Sequence, residues 1–537
     1  MSATFPGLPS PPPPPDPVPA AAVVLWREGP HGREVFWVRR GEPLRFAGGF
    51  HAFPGGRLDP ADAAIPVRGA AAEAAAILAC ACRELFEETG VLLARGAERV
   101  PGPAREAARR ALLGESSERL AKAGQPVVGQ RPEPLPPTRG GSGRGGAHAP
   151  ARDAGLFADF LREQRLALDA ALLTRAGRWI TPPFLPLRYD AHLFLSGLPE
   201  GEAPEVWPGE LSGGEFIPAA EALARWARGE ALLHPPNLWA ITCLARNAPA
   251  QAVEAMRRPP ECREHVSSRI EFQKGVFLCA LRTPTLPPAT HTNCWLLDLG
   301  DGGLALVDPG SGDAAELARL DALLAHLSEE GLRPRELWLT HHHPDHVGGV
   351  PALRARGLPL LAHPRTLALL GELGRGGTPV EDGALLHDRW RALHTPGHAS
   401  GHLCFQDERS RALLCGDMVS TLSSIIIDPP DGDMGEYQRQ LSRLLALAPR
   451  TLFPAHGSPA PNGAAKLEAY LAHRQEREDL VLAALDPPAA LAEVTARAYP
   501  DVPRLALPVA ERSCLATLLE LEREGLAARD GERWKHG

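Results

Sequence analysis

The chain has 537 residues, enough for three or four domains with cores of their own. Its formal net charge of -8 excludes the strongly basic surface that a dedicated nucleic-acid-binding chain carries. The nine cysteines show no disulfide spacing, and no apolar stretch reaches the ~20 residues that a transmembrane helix needs. With no export signal in view, we expect a cytoplasmic protein.

The N-terminal half is predicted to begin with a proline-rich, disordered tail over 1–19. Two strands around a glycine-containing turn follow from residue 20, and a helix is predicted over 70–88. Residues 125–152 are rich in proline and glycine and indicate a flexible insertion. Apolar residues spaced by three and four then predict an amphipathic helix over 156–173.

Three carboxylates lie near the end of the helix over 70–88. Glu84, Glu87 and Glu88 are three and four positions apart, so they share one helical face. With no counter-charge predicted between them, such a group is tolerated where a hard cation such as Mg²⁺ neutralises it. The alternative is a solvated acidic helix end, which the three residues alone do not exclude.

A wider motif around these carboxylates resembles the Nudix box. The stretch from Arg83 to Val91 fits the core R-E-U-x-E-E-x-G-U, where U is bulky and apolar. An insertion separates this core from the upstream turn Phe53-Pro-Gly-Gly56, and Ala75 stands where the box has glutamate. The resemblance to Nudix hydrolases implies catalytic roles for Glu84, Glu87 and Glu88, with Mg²⁺ or Mn²⁺ bound by Glu84 and Glu88.

A second pattern concerns the substrate of this half. The spacing from Arg40 through Gly49 to the Phe-Pro-Gly-Gly turn is similar to the signature of coenzyme A-type Nudix proteins, with Gly41 as the one mismatch. Forked guanidinium donors suit phosphate groups, whereas the alternative is a pair of surface arginines on a hairpin. The residues that the resemblance assigns to substrate binding are Arg40, Arg45, Gly55 and Gly56.

The densest group of candidate ligands is Thr340-His-His-His-Pro-Asp-His346. A short buried strand is predicted over 335–340, so the group should lie on the loop at its end. Histidine supplies neutral nitrogen to zinc-like metals, and aspartate adds an anionic oxygen. The first and third histidines can converge on one ion, while the aspartate and the last histidine face a second. A solvated histidine loop is the alternative.

Three more candidate ligands, His398, Asp417 and His456, follow apolar stretches and stand beside glycine or proline. Together with the histidine-rich loop they resemble the ligand pattern of the metallo-β-lactamase superfamily, over roughly 275–474. The resemblance implies two Zn²⁺ or other divalent transition-metal ions, with Asp345 also orienting the nucleophile. One ion would be held by His341, His343 and His398, the other by Asp345, His346 and His456, and Asp417 would bridge them.

Other residues of this region receive supporting roles or none. Asp308, in Val-Asp-Pro-Gly, matches the first motif of the superfamily, at a position that ties loops together behind the ligands. A plain turn aspartate is equally compatible with it. His342, His394 and His402 match no ligand position, so we interpret them as surface groups or as supports of the ligands.

The C-terminal residues predict helices over 464–485, 491–498 and 508–524 and a two-stranded wing over 526–534. This order resembles the winged helix of β-lactamase-like-2 type metallo-hydrolases, some of which are single-strand-specific ribonucleases. The candidate recognition helix is rich in leucine and glutamate rather than basic. Electrostatic attraction dominates nucleic-acid binding, so a packing role is favoured.

The sequence thus predicts a multidomain α/β protein. We expect a Nudix α/β/α sandwich over 20–246, a flexible connection, an αββα metallo-β-lactamase sandwich over 270–474 and a winged helix over 475–537. The predicted function is metal-dependent hydrolysis of an ester or thioester, beside a Nudix half acting on coenzyme A derivatives. The alternatives are a single-strand endoribonuclease and a degenerate Nudix module that only binds a nucleotide. We expect a small-molecule substrate and no membrane partner.

Overall fold

The computed structural model describes the backbone of residues 13–42, 47–123, 153–207, 209–260 and 262–537, and their side chains except those of 114–123, 153 and 505. Residues 1–12 of the predicted tail, the predicted insertion over 125–152 and Arg45 lie outside the described residues. The end of the predicted tail, Val18 and Pro19, is not disordered but belongs to the first strand. The chain divides into two compact units, one of Pro14–Ala227 with Ala231–Ser268 and one that includes Arg269–Gly537. No described helix is both long enough and apolar enough to cross a bilayer.

The N-terminal unit is built from short strands and six described helices. Its strands are β1 (Val18–Gly29), β2 (Gly32–Arg40), β3 (His51–Ala52), β4 (Gly55–Arg57), β5 (Val67–Arg68), β6 (Ala94–Arg95), β7 (Ala167–Asp169), β8 (Thr174–Ile180), β9 (Tyr189–Gly197), β10 (Leu211–Pro218), β11 (Cys262–Arg263) and β12 (Val266–Ser267). Its helices are α1 (Ala72–Thr89), α2 (Gly102–Ala123), α3 (Asp153–Glu163), α4 (Ala219–Ala227), α5 (Pro235–Arg246) and α6 (Pro249–Met256).

A mixed sheet with the order β10-β2-β1-β9-β8 forms the centre of this unit, with β3 beside β2 and β4 beside β1. Val23 and Leu25 of β1 pack into one hydrophobic cluster together with α1 and α3, whereas Val24 packs into another with α4, α5 and α6. Successive side chains of a strand point to opposite faces. Helices therefore cover both faces of the sheet, which explains why β1 is a continuous apolar run.

The segment between 247 and 269 is not the flexible connection that its composition predicts. It contains α6 and the hairpin of β11 and β12. Ala252, Val253 and Met256 of α6 are buried in the same cluster as Val24 and Trp37. The spacing of these three residues places them on one helical face, so the N-terminal unit continues to Ser268 rather than ending near 246.

The helix predicted over 156–173 is too long. The helix α3 ends at Glu163, and Arg165 has a φ of 55°. Leu168 is then fully buried in β7, between β5 and β6 of a small separate sheet. The apolar spacing continues past the helix end because the following strand is buried too.

The second unit contains two further sheets. The first has the order β13 (Ile270–Gln273), β14 (Val276–Arg282), β15 (His291–Asp298), β16 (Gly303–Val307), β17 (Arg333–Trp338), β18 (Leu360–Ala362) and β19 (Thr378–Pro379). The second has the order β20 (Leu385–Leu386), β21 (Trp390–His394), β22 (Leu403–Asp407), β23 (Ala412–Gly416) and β24 (Thr451–Pro454). The helices are α7 (Ala314–Glu329), α8 (Pro344–Val347), α9 (Val350–Arg354), α10 (Pro364–Leu369), α11 (Met434–Ala446) and α12 (Gly463–Ala483).

Aromatic side chains join the inner faces of these two sheets. The ring centroids of Trp295 and Phe453 are 5.1 Å apart, and those of Trp338 and Phe405 are 5.0 Å apart. The helix α7 covers the outer face of the first sheet, and α11 and α12 cover that of the second. The result is the αββα sandwich that the sequence predicts.

The C-terminal segment adds β25 (Ala489–Ala490), α13 (Leu491–Ala498), α14 (Leu507–Arg523), β26 (Ala527–Asp530) and β27 (Arg533–His536), with the sheet order β25-β27-β26. The predicted domain boundary at 474/475 falls inside α12. Leu467 and Tyr470 of this helix belong to the core of the sandwich, whereas Val481 belongs to the core of the winged helix. One continuous helix therefore serves both cores.

Candidate metal centre and acidic helix

All seven candidate ligands of the second unit lie just beyond the carboxyl ends of strands, five on loops and two, Asp345 and His346, in the short helix α8. The first four follow β17, and His398, Asp417 and His456 follow β21, β23 and β24. The pairs β16–β17 and β23–β24 are parallel, so their carboxyl ends meet at the same edge of a sheet. The sandwich thereby gathers residues that are up to 115 positions apart in the sequence (341 to 456).

Three imidazole nitrogens converge in this cluster. Nε2 of His341 lies 2.9 Å from Nδ1 of His343, and Nε2 of His398 lies 3.0 Å from the same atom. Burial, reinforced by the neighbouring imidazoles, lowers the pKa of His341 and His343 well below its ordinary value. These rings are therefore neutral, with lone pairs available, and form the donor set of a zinc-like ion.

Asp417 lies between this triad and the remaining ligands. Its Oδ2 is 3.6 Å from Nε2 of His398, and its Oδ1 is 3.7 Å from Nε2 of His346 and 3.5 Å from Nε2 of His456. Asp345 Oδ2 is 3.5 Å from Nε2 of His456. In the described structure, Oδ1 of Asp417 and Nε2 of His346 are buried without a hydrogen-bond partner. Buried polar atoms are rarely left so, and a divalent cation between them would satisfy both.

The far nitrogens of three ligands are each held in place. A hydrogen bond at Nδ1 fixes the ring orientation and the tautomer, so that Nε2 presents its lone pair to the centre. These contacts join His346 Nδ1 to Asp308 Oδ2 at 2.9 Å, His398 Nδ1 to the carbonyl oxygen of Ile426 at 2.8 Å and His456 Nδ1 to that of His291 at 3.0 Å.

Asp308 lies behind the ligands, where its motif places it. Besides contacting His346, it accepts hydrogen bonds from the backbone N–H and the hydroxyl of Thr340, at 2.8 and 2.6 Å. Its φ of 52° is left-handed, a conformation that aspartate tolerates better than most residues. It thereby ties the end of β16 to the loop after β17.

The two carboxylates of the cluster are ionised. Burial by itself raises the pKa of Asp345, but the neighbouring His346 and His456 lower it to about 2. Burial is likewise outweighed at Asp417, where His456 and His346 hold the pKa well below its ordinary value. Burial acts to lower the pKa of His346 and His456, but the neighbouring carboxylates outweigh it and raise the pKa of both rings. The cluster therefore presents negative oxygens beside the neutral rings of His341 and His343, and a divalent ion would compete with a proton at His346 and His456.

His402 supports Asp417 rather than facing the centre. It is fully buried, its Nε2 accepts the backbone N–H of Asp417 at 3.1 Å, and its Nδ1 lies 2.8 Å from the hydroxyl of Thr395. A Cβ at Gly416, where φ is 47°, would come within 2.5 Å of that Nε2. Only glycine therefore lets β23 end this close to the ring.

The other two histidines without a ligand motif lie outside the group of seven. Nε2 of His342 is 3.9 Å from a carboxylate oxygen of Asp431. His394 stacks on His363, with 3.9 Å between ring centroids, and its Nε2 lies 3.0 Å from the carbonyl oxygen of Ser400. None of these contacts involves a candidate ligand, so the roles of both histidines stay a prediction.

The winged helix is connected to the ligand His398 through a short loop. The carbonyl oxygen of Ile426 contacts His398, and the next residue, Ile427, donates its N–H to the hydroxyl of Ser513 on α14 at 3.0 Å. On the other side, Arg474 of α12 donates to the carbonyl of Ile425. The helices α12 and α14 thus hold both neighbours of the carbonyl that orients His398.

We expect Ser513→Ala to weaken metal binding at His398 without unfolding the protein. Loss of an outer hydrogen bond to a metal ligand lowers affinity by about 10–100-fold, and this bond is one step further away, so about three- to tenfold is expected. Competition with a chelator measures the metal dissociation constant. Ser442→Ala, on the exposed side of α11, is the control, and equal affinities in both variants would contradict the connection.

In the N-terminal unit, two carboxylates of α1 face the glycine turn. Gly55 donates its N–H to Glu88 Oε2 at 2.9 Å, and a Cβ at Gly56 would come within 2.4 Å of the Glu84 carboxylate. Glycine therefore lets β4 pass close to the helix. Burial raises the pKa of both carboxyl groups, and at Glu88 the charge of Glu84 raises it further.

The sequence predicts no counter-charge between the carboxylates of α1, but Arg83 provides one in the structure. Nη1 of Arg83 lies 2.9 Å from Glu84 and 3.4 Å from Glu87. The same guanidinium donates to both oxygens of the fully buried Asp62, at 2.8 and 3.0 Å. Sequence reasoning missed Asp62, which lies in the insertion between the turn and the box, and its only signal was a carboxylate in a proline- and alanine-rich stretch.

The remaining candidates of this unit lie in different surroundings. Arg40 ends β2, and its Nε is buried with no hydrogen-bond partner among the described residues. Its charge acts to lower the pKa of Glu88, against the larger effect of burial. Glu215, on β10, accepts hydrogen bonds from Arg225 at 2.7 Å and from Trp37 at 3.3 Å, so its carboxylate is already paired.

Two segments of the second unit match family models. Residues 287–456 match the metallo-beta-lactamase superfamily, and residues 491–534 match the beta-lactamase associated winged helix domain. The chain is 34% identical over 208 residues to the lactamase-like protein vrtG of Penicillium aethiopicum, covering 38% of this chain and 63% of that protein. It is 33% identical over 198 residues to the atrochrysone carboxyl ACP thioesterase AgnL7 of Paecilomyces divaricatus, covering 36% and 59%. The chain thus spans less than two thirds of these relatives.

A solved NUDIX hydrolase from Alicyclobacillus acidocaldarius overlaps 46% of this chain and 99% of its own, at 27% identity and a TM-score of 0.34. A similarity with so low a TM-score does not assign the N-terminal unit to the Nudix family, which stays a prediction. The predicted mixed α/β architecture, metallo-β-lactamase fold and winged helix are confirmed by the family matches. Residues 287–456 therefore have the metallo-β-lactamase fold and are followed by its associated winged helix.

Proposed function

We propose that the second unit hydrolyses an ester or thioester at a dinuclear metal centre. The observation that carries this proposal is the convergence of four imidazoles, those of His341, His346, His398 and His456, on the carboxylate of Asp417, with three of these rings fixed from behind. The name of AgnL7, a carboxyl ACP thioesterase, supports a thioester. We infer that the substrate is a small acyl compound.

The seven ligands would share two ions in the arrangement that the sequence predicts. Such a pair of ions supplies an activated water at neutral pH and polarises the oxygen of the scissile group. Nitrogen-rich ligation favours zinc, with iron or manganese as alternatives. The ionised Asp345 can accept a hydrogen bond from the attacking water at a carboxylate oxygen. The ligands would be His341, His343 and His398 for one ion, Asp345, His346 and His456 for the other, and Asp417 between them.

A ribonuclease is the lesser alternative because cations of the winged helix are paired. Arg523 lies 2.9 Å from Asp433, and Arg529 lies 3.3 Å from Glu522. Much of α14 is buried as well, including Ser513 and Leu518. A helix that packs in this way and whose charges are neutralised is poorly suited to a nucleic-acid backbone.

We propose that the N-terminal unit, which extends to Ser268, hydrolyses a coenzyme A-type diphosphate with the help of Mg²⁺ or Mn²⁺. Glu84 and Glu88 are partly buried beside the Gly55–Gly56 turn, and Arg83 neutralises only part of the local charge. A hard cation bound there would offset the negative charge of both the carboxylates and the diphosphate. The alternative is a module that binds a nucleotide without cleaving it.

The test is turnover by the purified full-length protein with Zn²⁺, Mg²⁺, both or neither. The substrates are an acyl-CoA, free CoA and single-stranded RNA. We expect thioester hydrolysis that depends on the transition metal and release of 4'-phosphopantetheine from CoA that depends on Mg²⁺. Cleavage of RNA with the acyl-CoA left intact would overturn the acyl proposal in favour of the ribonuclease.

The two activities are expected to separate, since each unit has its own core. Asp345→Ala should abolish thioester hydrolysis and leave Mg²⁺-dependent cleavage of CoA within about twofold of wild type. The two assays are run on the same preparation, with circular dichroism as the check on folding. Loss of both activities in a folded variant would mean that they share a site.

A further inference from the structure

A pocket of about 330 Å³ lies beside the metal centre. It is formed between the segment 420–424, which begins three residues after Asp417, and the helix α12. The hydroxyl of Ser420 donates to the carbonyl of the ligand His456 at 3.3 Å, so the pocket and the centre share a wall. The side chains that matter in the pocket are those of Thr421, Ser423, Ser424, Lys466, Tyr470 and His473.

Several polar side chains that line this pocket have hydrogen-bond donors without an acceptor among the described residues. The ammonium of Lys466 lies over the ring of Tyr470, 5.2 Å from its centroid, and has no carboxylate partner in the described structure. Among described residues, the side chains of Ser423, Ser424 and His473 make no hydrogen bond either. No acidic residue is among those that line the pocket. A half-buried cation with unused hydroxyl donors around it favours the binding of an anion.

The wall opposite α12 is held in shape by Tyr470. Its hydroxyl oxygen accepts the N–H of Ser420 at 2.8 Å and lies 2.6 and 2.9 Å from the carbonyl oxygens of Ser420 and Ser423. The hydroxyl of Ser420 accepts the N–H of Leu422 at 3.1 Å. The segment is therefore braced by its own hydrogen bonds, whereas the hydroxyls of Ser423 and Ser424 stay available.

The choice of lysine fits a small anion. Of the 57 basic residues of the chain, only four are lysines, at positions 122, 274, 466 and 535. An ammonium is a compact point charge with three donors, whereas a guanidinium is a wider, planar fork. A pocket of this volume, at the lower end of the range for small-molecule sites, suits the ammonium.

We propose that this pocket binds an oxyanion of the substrate, a phosphate or carboxylate, while the scissile acyl bond lies at the metal centre. The role of the anion as part of the substrate rests on the proposed function, but anion binding itself does not. Lys466 supplies the charge, and Ser423 and Ser424 supply hydroxyl donors. The site would thus select charged thioesters over neutral ones.

The first experiment compares S-acetyl-4'-phosphopantetheine, S-succinylpantetheine and uncharged S-acetylpantetheine as substrates. Lys466→Met should raise KM for at least one charged thioester about tenfold or more, with kcat and the KM for the neutral one within about twofold. Lys466→Arg should recover part of the loss, and Lys274→Met, at an exposed lysine, should change nothing. A phosphate-only effect assigns a phosphate, and a succinyl-only effect assigns a carboxylate. Equal KM values for wild type and Lys466→Met on all three substrates would overturn the proposal.

The second experiment does not depend on turnover. Reductive ¹³C-methylation of the full-length protein yields one dimethyl-lysine signal per lysine, and the Lys466 signal is the one absent from Lys466→Arg. Inorganic phosphate or acetate should shift this signal in a saturable manner and leave that of Lys274 in place. A shift without thioester hydrolysis would support the pocket and refute the acyl substrate. No shift with either anion would overturn the pocket as an anion site.

Discussion

Asp417→Ala is expected to lower hydrolysis of the acyl substrate by about 100-fold or more and to reduce bound metal from two ions per chain to one or fewer. Loss of an outer hydrogen bond to a ligand already lowers affinity or activity by about 10–100-fold, and in the proposed arrangement Asp417 would contact both ions directly. Its two oxygens lie 3.5 to 3.7 Å from nitrogens of His398, His346 and His456. No other carboxylate of the described cluster lies this close to all three.

The matched control is His402→Ala, because His402 contacts Asp417 only through the backbone N–H. We expect this variant to keep two ions and to lose about tenfold in activity, as for an outer support. Elemental analysis after exhaustive dialysis, together with initial rates, measures both effects. Two ions bound to Asp417→Ala, or a greater loss in His402→Ala, would show that Asp417 does not bridge.

The ligands of the metal centre could be predicted from the sequence because each lies in a short local motif directly after a strand. What the motifs do not contain is the set of contacts that fix the rings. His402 supports Asp417 only because the start of β22 and the end of β23 lie side by side in one sheet. The contact of Ile427 with Ser513 joins positions 86 residues apart. Such contacts depend on tertiary packing, which local spacing does not encode.

The N-terminal unit also depends on tertiary contacts that the local sequence spacing does not reveal. The face shared by Glu84, Glu87 and Glu88 follows from helical spacing, but the buried partner of Arg83, Asp62, lies 21 residues upstream in an insertion. The polar composition of the segment 247–269 predicts flexibility, yet three apolar residues on one face of α6 suffice to pack this helix into the core. A few well-placed apolar residues outweigh average polarity when a sheet face is otherwise uncovered.

The second large effect is expected for Glu88→Gln, in two measurements that respond in opposite directions. Activity should fall by about 100-fold or more in the Mg²⁺-dependent release of 4'-phosphopantetheine from CoA, because a neutral amide is a poor ligand for a hard cation. The thermal stability of the metal-free protein should rise, because burial and the charge of Glu84 hold the pKa of Glu88 well above its ordinary value. An ionised Glu88 therefore destabilises the folded state.

The pH dependence follows from the sign of this pKa shift. A carboxyl group whose folded pKa is raised binds more protons in the folded than in the unfolded state, so stability falls as pH rises above the ordinary glutamate pKa of about 4.3. The metal-free Tm of Glu88→Gln should exceed that of wild type at pH 8, and the gap should close toward pH 4. Mg²⁺ should raise the Tm of wild type more than that of the variant, since only wild type keeps both carboxylates.

Glu73→Gln is the control for both measurements, because Glu73 is an exposed glutamate on the same helix. It should leave activity, Tm and the response to Mg²⁺ as in wild type. If wild-type protein cleaves neither CoA, ADP-ribose nor dinucleoside polyphosphates, the nucleotide-binding module replaces the diphosphatase, and the Tm measurements still decide whether a cation binds at Glu84 and Glu88. A wild-type Tm that does not respond to Mg²⁺ or Mn²⁺ and equals that of Glu88→Gln at pH 8 would refute the cation site itself. Two adjacent, partly buried carboxylates cannot both be ionised without a cost in stability.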